Sequence, residues 1–438
     1  MKWVPMQRLL NFIRSIGPAI IVAAVVCGPG SMLMSSKTGA IYGYRMIWLV
    51  VTAAALMWSM VALSARLGVV LERTPLGELA HRLGRPVAAA VGLILFLVVV
   101  GFQVSNNIAI VAAIEPFLPQ QFTAGKTAAW LTPILILCGL NLFVLVVLYR
   151  FRNLYRPIER LLKAIVLVVI LCFAGNLVLA RPDLGAMIGG LVPSAPAGGF
   201  AAMLTPRAAP DVTVLQALVA TTFSVAGAFF QAYSVRARGW TITDARRGMI
   251  DSLVGASVLA GVSIVLMSTA AAALHGTGVT SADLATIGDV AKQFEPLFGQ
   301  YATLLFSLGV FAGGFGAFLV NALIGGNMLA DGFGQGATMN DTGTRHATAA
   351  ALLIAMTIAC GCLLAGVKPV AAITIAQAST VLGLPALALA LLYLASRKDL
   401  PEGGRIPRWM LLAAVLGLAV TLLLTARTLV QLWGIFTT

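Results

Sequence analysis

Long apolar runs separated by short polar breaks make up most of the chain. Because an apolar helix of about 20 residues crosses the hydrocarbon core of a bilayer, runs of this length predict eleven membrane-spanning helices. Their expected bounds are roughly 17–36, 45–71, 86–114, 129–149, 157–180, 212–235, 250–275, 297–330, 345–366, 368–395 and 408–435. The pattern therefore predicts an all-α polytopic membrane protein, with one transmembrane domain filling residues 1–438.

The composition excludes a cytosolic enzyme. Apolar residues make up 60% of the 438 positions and charged residues only 10%, whereas soluble domains carry about 25% charged residues. A soluble fold of this length could not hide so much apolar surface from water. No nucleophile–base pair or metal-ligand set appears in any span, so we expect neither enzymatic activity nor a cofactor.

The positive charges indicate an orientation. Of the 29 Lys and Arg residues, 21 fall on one side of the predicted spans and 8 on the other. By the positive-inside rule, the amino terminus is expected in the cytoplasm and the carboxyl terminus outside, with the protein in the cell inner membrane. The net charge of +14 is then a topology signal and not a mark of nucleic-acid binding. The expected partners are the lipid bilayer and a small-molecule or ion substrate, and the expected state is a monomer.

Two predicted spans carry an interruption near the middle. In the first, Gly28-Pro29-Gly30 removes a backbone donor and adds backbone freedom, which predicts either a simple kink or an unwound helix that lines a cavity. In the sixth, small polar residues could expose the backbone or pack against other helices; they are Thr221, Thr222, Ser224, Gly227 and Gln231. Paired interruptions at matching positions indicate an inverted repeat, with 17–180 and 212–395 as its halves and 408–435 as an extra span.

Four segments resemble motifs of the Nramp (natural resistance-associated macrophage protein) metal-ion transporters. The first span, GPAIIVAAVVCGPGSM, is similar to the family's GPGFLVA…DPGN, and residues 63–69, LSARLGV, are similar to LSARLGI. Residues 326–333, GNMLADGF, resemble GQIVMEGF, and Gln377 followed by Leu384-Pro385 resembles Q…LP. The resemblance implies a LeuT-like 5+5 inverted repeat with helices 1 and 6 broken. It also implies alternating access and proton-coupled uptake of manganese or iron.

The chain departs from the family at the metal site that the resemblance implies. The Asp and Asn of DPGN fall on Gly28 and Ser31, and the Met-Pro-His of span six falls on residues 224–226, Ser-Val-Ala. Of the family's polar site residues only Gln377 persists. A divalent cation normally needs oxygen ligands that include a carboxylate, so these departures argue against a transition-metal site.

Span three has also lost its charges. The family's acidic pair for proton movement falls on Gln103 and Asn106, and the fifteen Asp and Glu residues of the chain all fall in loops or near helix ends. Intramembrane ionisable groups are the usual mark of proton relays. The sequence therefore predicts weakened or absent proton coupling.

We expect the substrate to bind at the two helix breaks. The expected binding residues are Cys27, Gly28, Pro29, Gly30, Ser31, Thr222, Ser224, Val225, Ala226, Gly227 and Gln377. A polar lining along the pathway is expected from Gln103, Asn106 and Asn107, which could equally bond neighbouring helices. Asn321, Asn327 and Met328 are expected to serve helix packing instead, as are the aromatic residues Phe229, Phe230 and Tyr233.

Three functions remain open at this stage. The unpaired N–H groups of a half-helix that begins near Gly30 favour an anion, and Lys37 either adds positive charge or extends to the outer surface. The main interpretation is therefore a secondary transporter of a small organic anion or zwitterion, such as an amino acid. The alternative is a transporter of Mg²⁺ or Mn²⁺ with altered selectivity. A sensor that keeps the fold without transporting is the third hypothesis, and it predicts a collapsed cavity.

Overall fold

The computed structural model describes residues 28–118, 126–150, 181–196, 210–338, 340–400 and 405–437, together with positions 175 and 199. This part of the chain consists of α-helices and short 3₁₀ turns and contains no β-strand. In chain order the helices are α1 Pro29–Tyr42, α2 Ile47–Val70, α3 Pro75–Leu83, α4 Arg85–Ile114, α5 Lys126–Arg150, α6 Leu184–Gly189, α7 Pro210–Thr222, α8 Val225–Ala237, α9 Ala245–Leu274, α10 Ile287–Ala291, α11 Glu295–Phe298, α12 Ala302–Phe333, α13 Thr342–Leu364, α14 Pro369–Ser379, α15 Leu384–Ala395 and α16 Arg408–Thr437.

The all-helical membrane fold is confirmed. Nine helical stretches among the described residues are long and apolar enough to cross a membrane. The count of eleven spans stays a prediction, because the fifth predicted span, 157–180, and most of the first lie outside the described residues. Several predicted bounds agree closely with the structure, as for α4, which begins one residue before the predicted span and ends with it.

One predicted span ends later in the structure than expected, and another contains a turn that was not expected. The first was expected to end near residue 36, but α1 continues to Tyr42 and ends at Gly43, whose φ of +61° favours glycine. The tenth predicted span, 368–395, matches one helical stretch, Pro369–Ala395, in which a 3₁₀ turn over Thr380–Gly383 divides α14 from α15. Pro385 has no N–H to donate to the Val381 carbonyl, and the hydroxyl of Thr425 on α16 donates to that carbonyl instead (2.9 Å).

The predicted break in span six is confirmed, and a serine produces it without proline. α7 ends at Thr222 and α8 begins at Val225. Ser224 adopts an extended conformation (φ −84°, ψ 90°), and its Oγ accepts a hydrogen bond from the N–H of Gly227 (3.3 Å). A side-chain oxygen at the N-cap satisfies one of the free N–H groups of a new helix, so Ser224 stabilises the restart of the helix.

The broken segments lie at the centre of the molecule. In the most apolar stretch of the α7–α8 span 94% of the residues are buried, whereas in that of the α16 span only 22% are buried. α1 packs on α7 and α9, α2 packs on α8 and α9, and α4 packs on α12, α13 and α14. α1 and α9 approach each other closely at Gly39, where a Cβ would come within 2.0 Å of the Met267 carbonyl oxygen. The starts of α1 and α8 are therefore enclosed by other helices.

Candidate functional site

A small polar cavity, here called the central cavity, lies where the two helix breaks meet. About 20 Å³ of it is open to the centre of a water molecule, which is room for one water molecule or one ion. Its walls come from α1, α4, α12, α14 and the α7–α8 junction. The lining residues are Gly28, Gly30, Ser31, Phe102, Asn106, Thr221, Ser224, Asn321 and Gln377.

The start of α1 forms one wall. Gly28 is the N-cap with an extended backbone (φ −71°, ψ 178°), and Pro29 opens the helix. The first α-helical bond of this helix runs from Met32 N to the Gly28 carbonyl (3.2 Å), so the N–H groups of Gly30 and Ser31 precede the intrahelical ladder. A Cβ on Gly30 would come within 2.1 Å of Gln377 Nε2, so glycine allows α14 to approach here.

The α7–α8 junction forms the opposite wall through Thr221 and Ser224. The hydroxyl of Thr222 is buried and has no hydrogen-bond partner among the described residues, but Thr222 is not part of the lining. The expected binding residues Val225, Ala226 and Gly227 form the first turn of α8, where they are buried beside the cavity. Because Ser224 is the N-cap, the three residues that follow it belong to the helix.

Gln377 on α14 presents a free carbonyl oxygen. Its Nε2 donates to Ser105 Oγ (2.8 Å), while its Oε1 is buried without a partner among the described residues. A buried amide oxygen that makes no hydrogen bond is unfavourable. The central cavity therefore contains an acceptor that a bound donor or cation would satisfy.

The three amides expected along span three have different surroundings. Asn106 lines the central cavity, and its Nδ2 is 3.4 Å from Gln103 Oε1. Asn107 donates to the Gln103 carbonyl (2.9 Å) and accepts from Nδ2 of Asn141 on α5 (2.8 Å). Gln103 and Asn107 thus belong to a chain of hydrogen-bonded amides that joins α4 to α5. This agrees with the alternative that these residues bond neighbouring helices.

The sequence interpretation missed Asn321. It was assigned to helix packing, but the structure places it in the lining of the central cavity. An amide in the middle of an apolar span was the available signal, because burying such a group is costly without a partner. Phe102 is a second lining residue that the sequence did not indicate. Cys27 lies outside the described residues.

The central cavity is neutral. None of its lining residues is charged, and the described part of the chain holds no group of three or more His, Cys, Asp or Glu side chains placed to hold a metal ion. Lys37, two turns further along α1, is only 5% exposed and so does not extend to the surface. The cavity offers hydroxyl groups, amide groups and the positive ends of two helices.

Comparisons with known sequences agree on one family. The model of the natural resistance-associated macrophage protein-like (Nramp) family matches residues 19–431. The divalent metal cation transporter MntH of Pectobacterium carotovorum subsp. carotovorum is 24% identical over 310 residues, 70% of each chain. MntH of Deinococcus radiodurans is 24% identical over 396 residues, which cover 90% of this chain and 83% of that protein.

Solved structures show the same fold. The manganese transporter of Eremococcus coleocola superposes with a TM-score of 0.75 at 18% identity, over 95% of this chain and 85% of that one. Mhp1, a nucleobase-cation-symport-1 family transporter with bromovinylhydantoin bound, gives a TM-score of 0.56 at 14% identity, over 94% and 91%. The helical architecture around the two breaks is thus shared with LeuT-fold transporters. Since the family model covers nearly the whole chain, this protein belongs to the Nramp family.

Proposed function

We propose that this Nramp-family protein transports a divalent cation, with selectivity altered towards a hard ion such as Mg²⁺. Relatives that match most of the chain carry the name divalent metal cation transporter. The comparisons thus favour the alternative cargo over the organic anion. The small size of the central cavity also suits an ion, because the space open to the centre of a water molecule is only about 20 Å³, enough for about one water molecule.

The unpaired Oε1 of Gln377 is the observation that carries the proposal. An amide oxygen is a hard ligand of the kind that Mg²⁺ and Ca²⁺ prefer. Ser31, Asn106 and Asn321 add further oxygens to the same lining. Water molecules retained by the ion would complete the coordination, as is usual for Mg²⁺.

The lining also accounts for the altered selectivity. Ser224 and Ala226 stand where the family resemblance places a sulfur and an imidazole ligand, and soft or borderline metals prefer such ligands. Without a carboxylate the ion's charge is not compensated locally. We therefore expect binding that is weaker than at an acidic site, with little preference for Mn²⁺ over Mg²⁺.

Coupling and orientation are part of the same proposal. Gln103 and Asn106 cannot carry a proton as carboxylates do, so transport does not depend on a proton relay through α4. The protein works by alternating access in the inner membrane, as a monomer, with the amino terminus in the cytoplasm. The two repeats are residues 17–180 and 212–395, and the starts of α1 and α8 at one cavity support this division.

The test restores a carboxylate to the central cavity. Gly28 has an ordinary φ of −71°, and the N-cap position accepts Asp and Asn readily. Gly28→Asp should therefore tighten Mg²⁺ and Mn²⁺ binding about tenfold or more, a gain of about 1.4 kcal/mol, whereas the neutral Gly28→Asn should not. Calorimetric titration of the purified protein and uptake into proteoliposomes measure both. Unchanged metal binding in Gly28→Asp would contradict the proposal.

A small organic anion or zwitterion is the second candidate. Buried Lys37 and the N-terminal ends of α1 and α8 favour a negative group near the central cavity. Mhp1 shows that a protein of this fold holds an organic molecule. If this candidate is correct, amino acids or small carboxylates give heat in the wild type while metals give none. Gly28→Asp would then abolish the organic binding.

A further inference from the structure

A second and larger cavity lies beside the last turns of α8 and α12. About 440 Å³ of it is open to the centre of a water molecule, compared with about 20 Å³ in the central cavity. Among the described residues Arg236 is the only charged one in its lining, and it is here called the Arg236 cavity. Sites for small organic molecules have volumes of about 300–1,000 Å³. The Arg236 cavity is therefore large enough for a molecule that does not fit the central cavity.

Part of the lining of the Arg236 cavity is apolar. Phe230 and Tyr233 contribute aromatic rings from α8, and Ala337 adds a methyl group from the connection after α12. The Tyr233 hydroxyl is already engaged, because it donates to Asp331 Oδ2 (2.5 Å) and accepts from the N–H of Leu76 (3.3 Å). Tyr233 therefore offers its ring to a ligand. An apolar wall combined with a few polar groups is typical of sites for organic molecules.

Two buried residues in the lining each have an oxygen, Ser234 Oγ or Asn327 Oδ1, that makes no hydrogen bond to a described residue. Ser234 is 1% exposed and Asn327 is 2% exposed. Leaving such atoms unsatisfied costs free energy. An amide oxygen only accepts hydrogen bonds, whereas a hydroxyl group donates or accepts. A ligand that satisfies both oxygens therefore carries at least one N–H or O–H group.

The charged groups at the Arg236 cavity favour an anion. Arg236 donates to the backbone carbonyls of residues 68, 71 and 72, at the C-terminal end of α2. These carbonyls orient the guanidinium group but carry no net charge. The Asp331 carboxylate is not part of the lining, and it interacts with both Arg85 and Arg236. Because two arginines face one carboxylate, a negative group is attracted to the cavity and a cation is repelled.

We infer that the Arg236 cavity binds a small organic anion with an aromatic or apolar body and a hydrogen-bond donor next to its charge, such as an aromatic hydroxy acid. Arg236 attracts the carboxylate, Ser234 Oγ and Asn327 Oδ1 bind the hydroxyl group, and Phe230 contacts the ring. The positive-inside rule predicts that this side of the protein faces the cytoplasm, so the anion enters from there. The site is separate from the central cavity and does not depend on which cargo the central cavity binds.

Three probes of nearly the same shape test each part of the inference, by calorimetric titration of the full-length protein in lipid nanodiscs. Mandelate carries the ring, the charge and the hydroxyl group. Phenylacetate lacks the hydroxyl group, and mandelamide lacks the charge. We expect the wild type to bind mandelate about fivefold more tightly than phenylacetate, and about tenfold more tightly than mandelamide, because a hydrogen bond to a charged group contributes more than a neutral one.

Variants of the lining locate the site. Ser234→Ala should weaken mandelate binding about fivefold and leave phenylacetate binding unchanged, because only mandelate has the hydroxyl group. Asn327→Asp keeps the size of the side chain and adds a negative charge, so it should weaken mandelate binding about tenfold or more and affect mandelamide less. Ser263→Ala is the matched control. Ser263 is also 1% exposed, its Oγ also lacks a partner among the described residues, and it lines neither cavity.

The outcomes decide whether the Arg236 cavity is the site. Mandelate binding that weakens in Ser234→Ala and Asn327→Asp but not in Ser263→Ala supports the inference. Wild-type protein that binds none of the three probes, or binds mandelamide as tightly as mandelate, overturns it. Mandelate binding that is lost in Gln377→Leu and unchanged in Ser234→Ala and Asn327→Asp places the anion in the central cavity, and also overturns it. None of these results depends on metal binding, so the proposed function is tested separately.

Discussion

At the residue scale, the contact between Gly30 and Gln377 tests the central cavity. A Cβ at position 30 would come within 2.1 Å of Gln377 Nε2 and 2.5 Å of its Cδ. The flexible side chain of Gln377 would then move and lose its hydrogen bond to Ser105. We expect Gly30→Ala to lower transport about tenfold, the equivalent of about 1.4 kcal/mol, with little change in melting temperature. Proteoliposome uptake and thermal unfolding measure the two quantities.

Gly261→Ala is the control for that prediction. Gly261 lies in α9, and nothing comes within 4 Å of a Cβ built there. Alanine also favours the helix more than glycine does, so this variant should transport like the wild type. Wild-type transport by Gly30→Ala would show that the position of Gln377 does not matter to the cargo.

Residue types predicted part of the central cavity and geometry decided the rest. Gly28, Gly30, Ser31 and Gln377 were expected there because irregular backbone and buried amides are unusual in a membrane span, and they line the cavity. Asn321 was missed because spacing along a single helix does not tell which neighbour its side chain meets. Whether a residue near the start of α8 lines the cavity likewise depends on which residue is the N-cap. The sequence shows several small polar residues there but does not indicate that Ser224 is the N-cap.

At the scale of elements, an ion-pair network joins α3 to the connection before α16. Glu78 Oε1 is 2.7 Å from Arg82 Nε and 2.7 Å from Arg397 Nη1. Arg397 Nη2 is 2.9 Å from Asp399 Oδ2, and Arg82 also contacts Asp399. Since Glu78 is nearly buried and its partners come from distant parts of the sequence, the network fixes α3 against the end of α15.

This network predicts an acid-sensitive stability. Burial raises the pKa of Glu78, but the hydrogen bond from Arg82 and the charges of Arg397, Arg82 and Arg73 outweigh it and leave the pKa below its ordinary 4.5. The hydrogen bond from Arg397 is the main reason that the pKa of Asp399 lies below its ordinary 3.8. A carboxylate with a lowered pKa stabilises the fold above its ordinary pKa and loses that contribution as pH falls through the lowered value.

We therefore expect the melting temperature of the wild type to fall as the pH drops below about 4.5. In Glu78→Gln this fall should be smaller, and the melting temperature near neutral pH should be lower than in the wild type. The control is Glu115→Gln, because Glu115 is exposed and forms no ion pair with a described residue. Equal acid sensitivity in Glu78→Gln and the wild type would exclude a role for the network. Thermal scans in detergent between pH 3 and 7 supply the comparison.

The helices were predicted better than their interruptions. Apolar length alone locates α2, α4 and α5, since each needs only enough residues to cross the bilayer. The turn between α14 and α15 was missed although Leu384-Pro385 is visible in the sequence, because proline in a membrane helix is often tolerated as a kink. The structure shows a short 3₁₀ turn there, with Thr425 of α16 bonded to the freed carbonyl. That partner comes from another element, which local pattern does not reveal.

At the scale of the whole molecule, the charge distribution makes the orientation testable. Residue 398 lies between α15 and α16, on the side that collects 21 of the 29 positive charges. α16 begins at Arg408 and continues to Thr437, and its apolar part, Arg408–Val430, is long enough to cross a bilayer once. A single crossing must place residue 398 and the carboxyl end on opposite sides. The positive-inside rule predicts that residue 398 faces the cytoplasm.

Green fluorescent protein inserted after Lys398 should therefore fluoresce in bacterial cells, because it matures in the cytoplasm, whereas the same reporter fused after Thr438 should stay dark. Alkaline phosphatase at the two positions should give the reverse pattern, since it is active only outside the cytoplasm. Fluorescence at both positions would show that α16 does not cross the membrane. A complete reversal would place residue 398 outside the cytoplasm and the carboxyl end inside it, against the positive-inside rule.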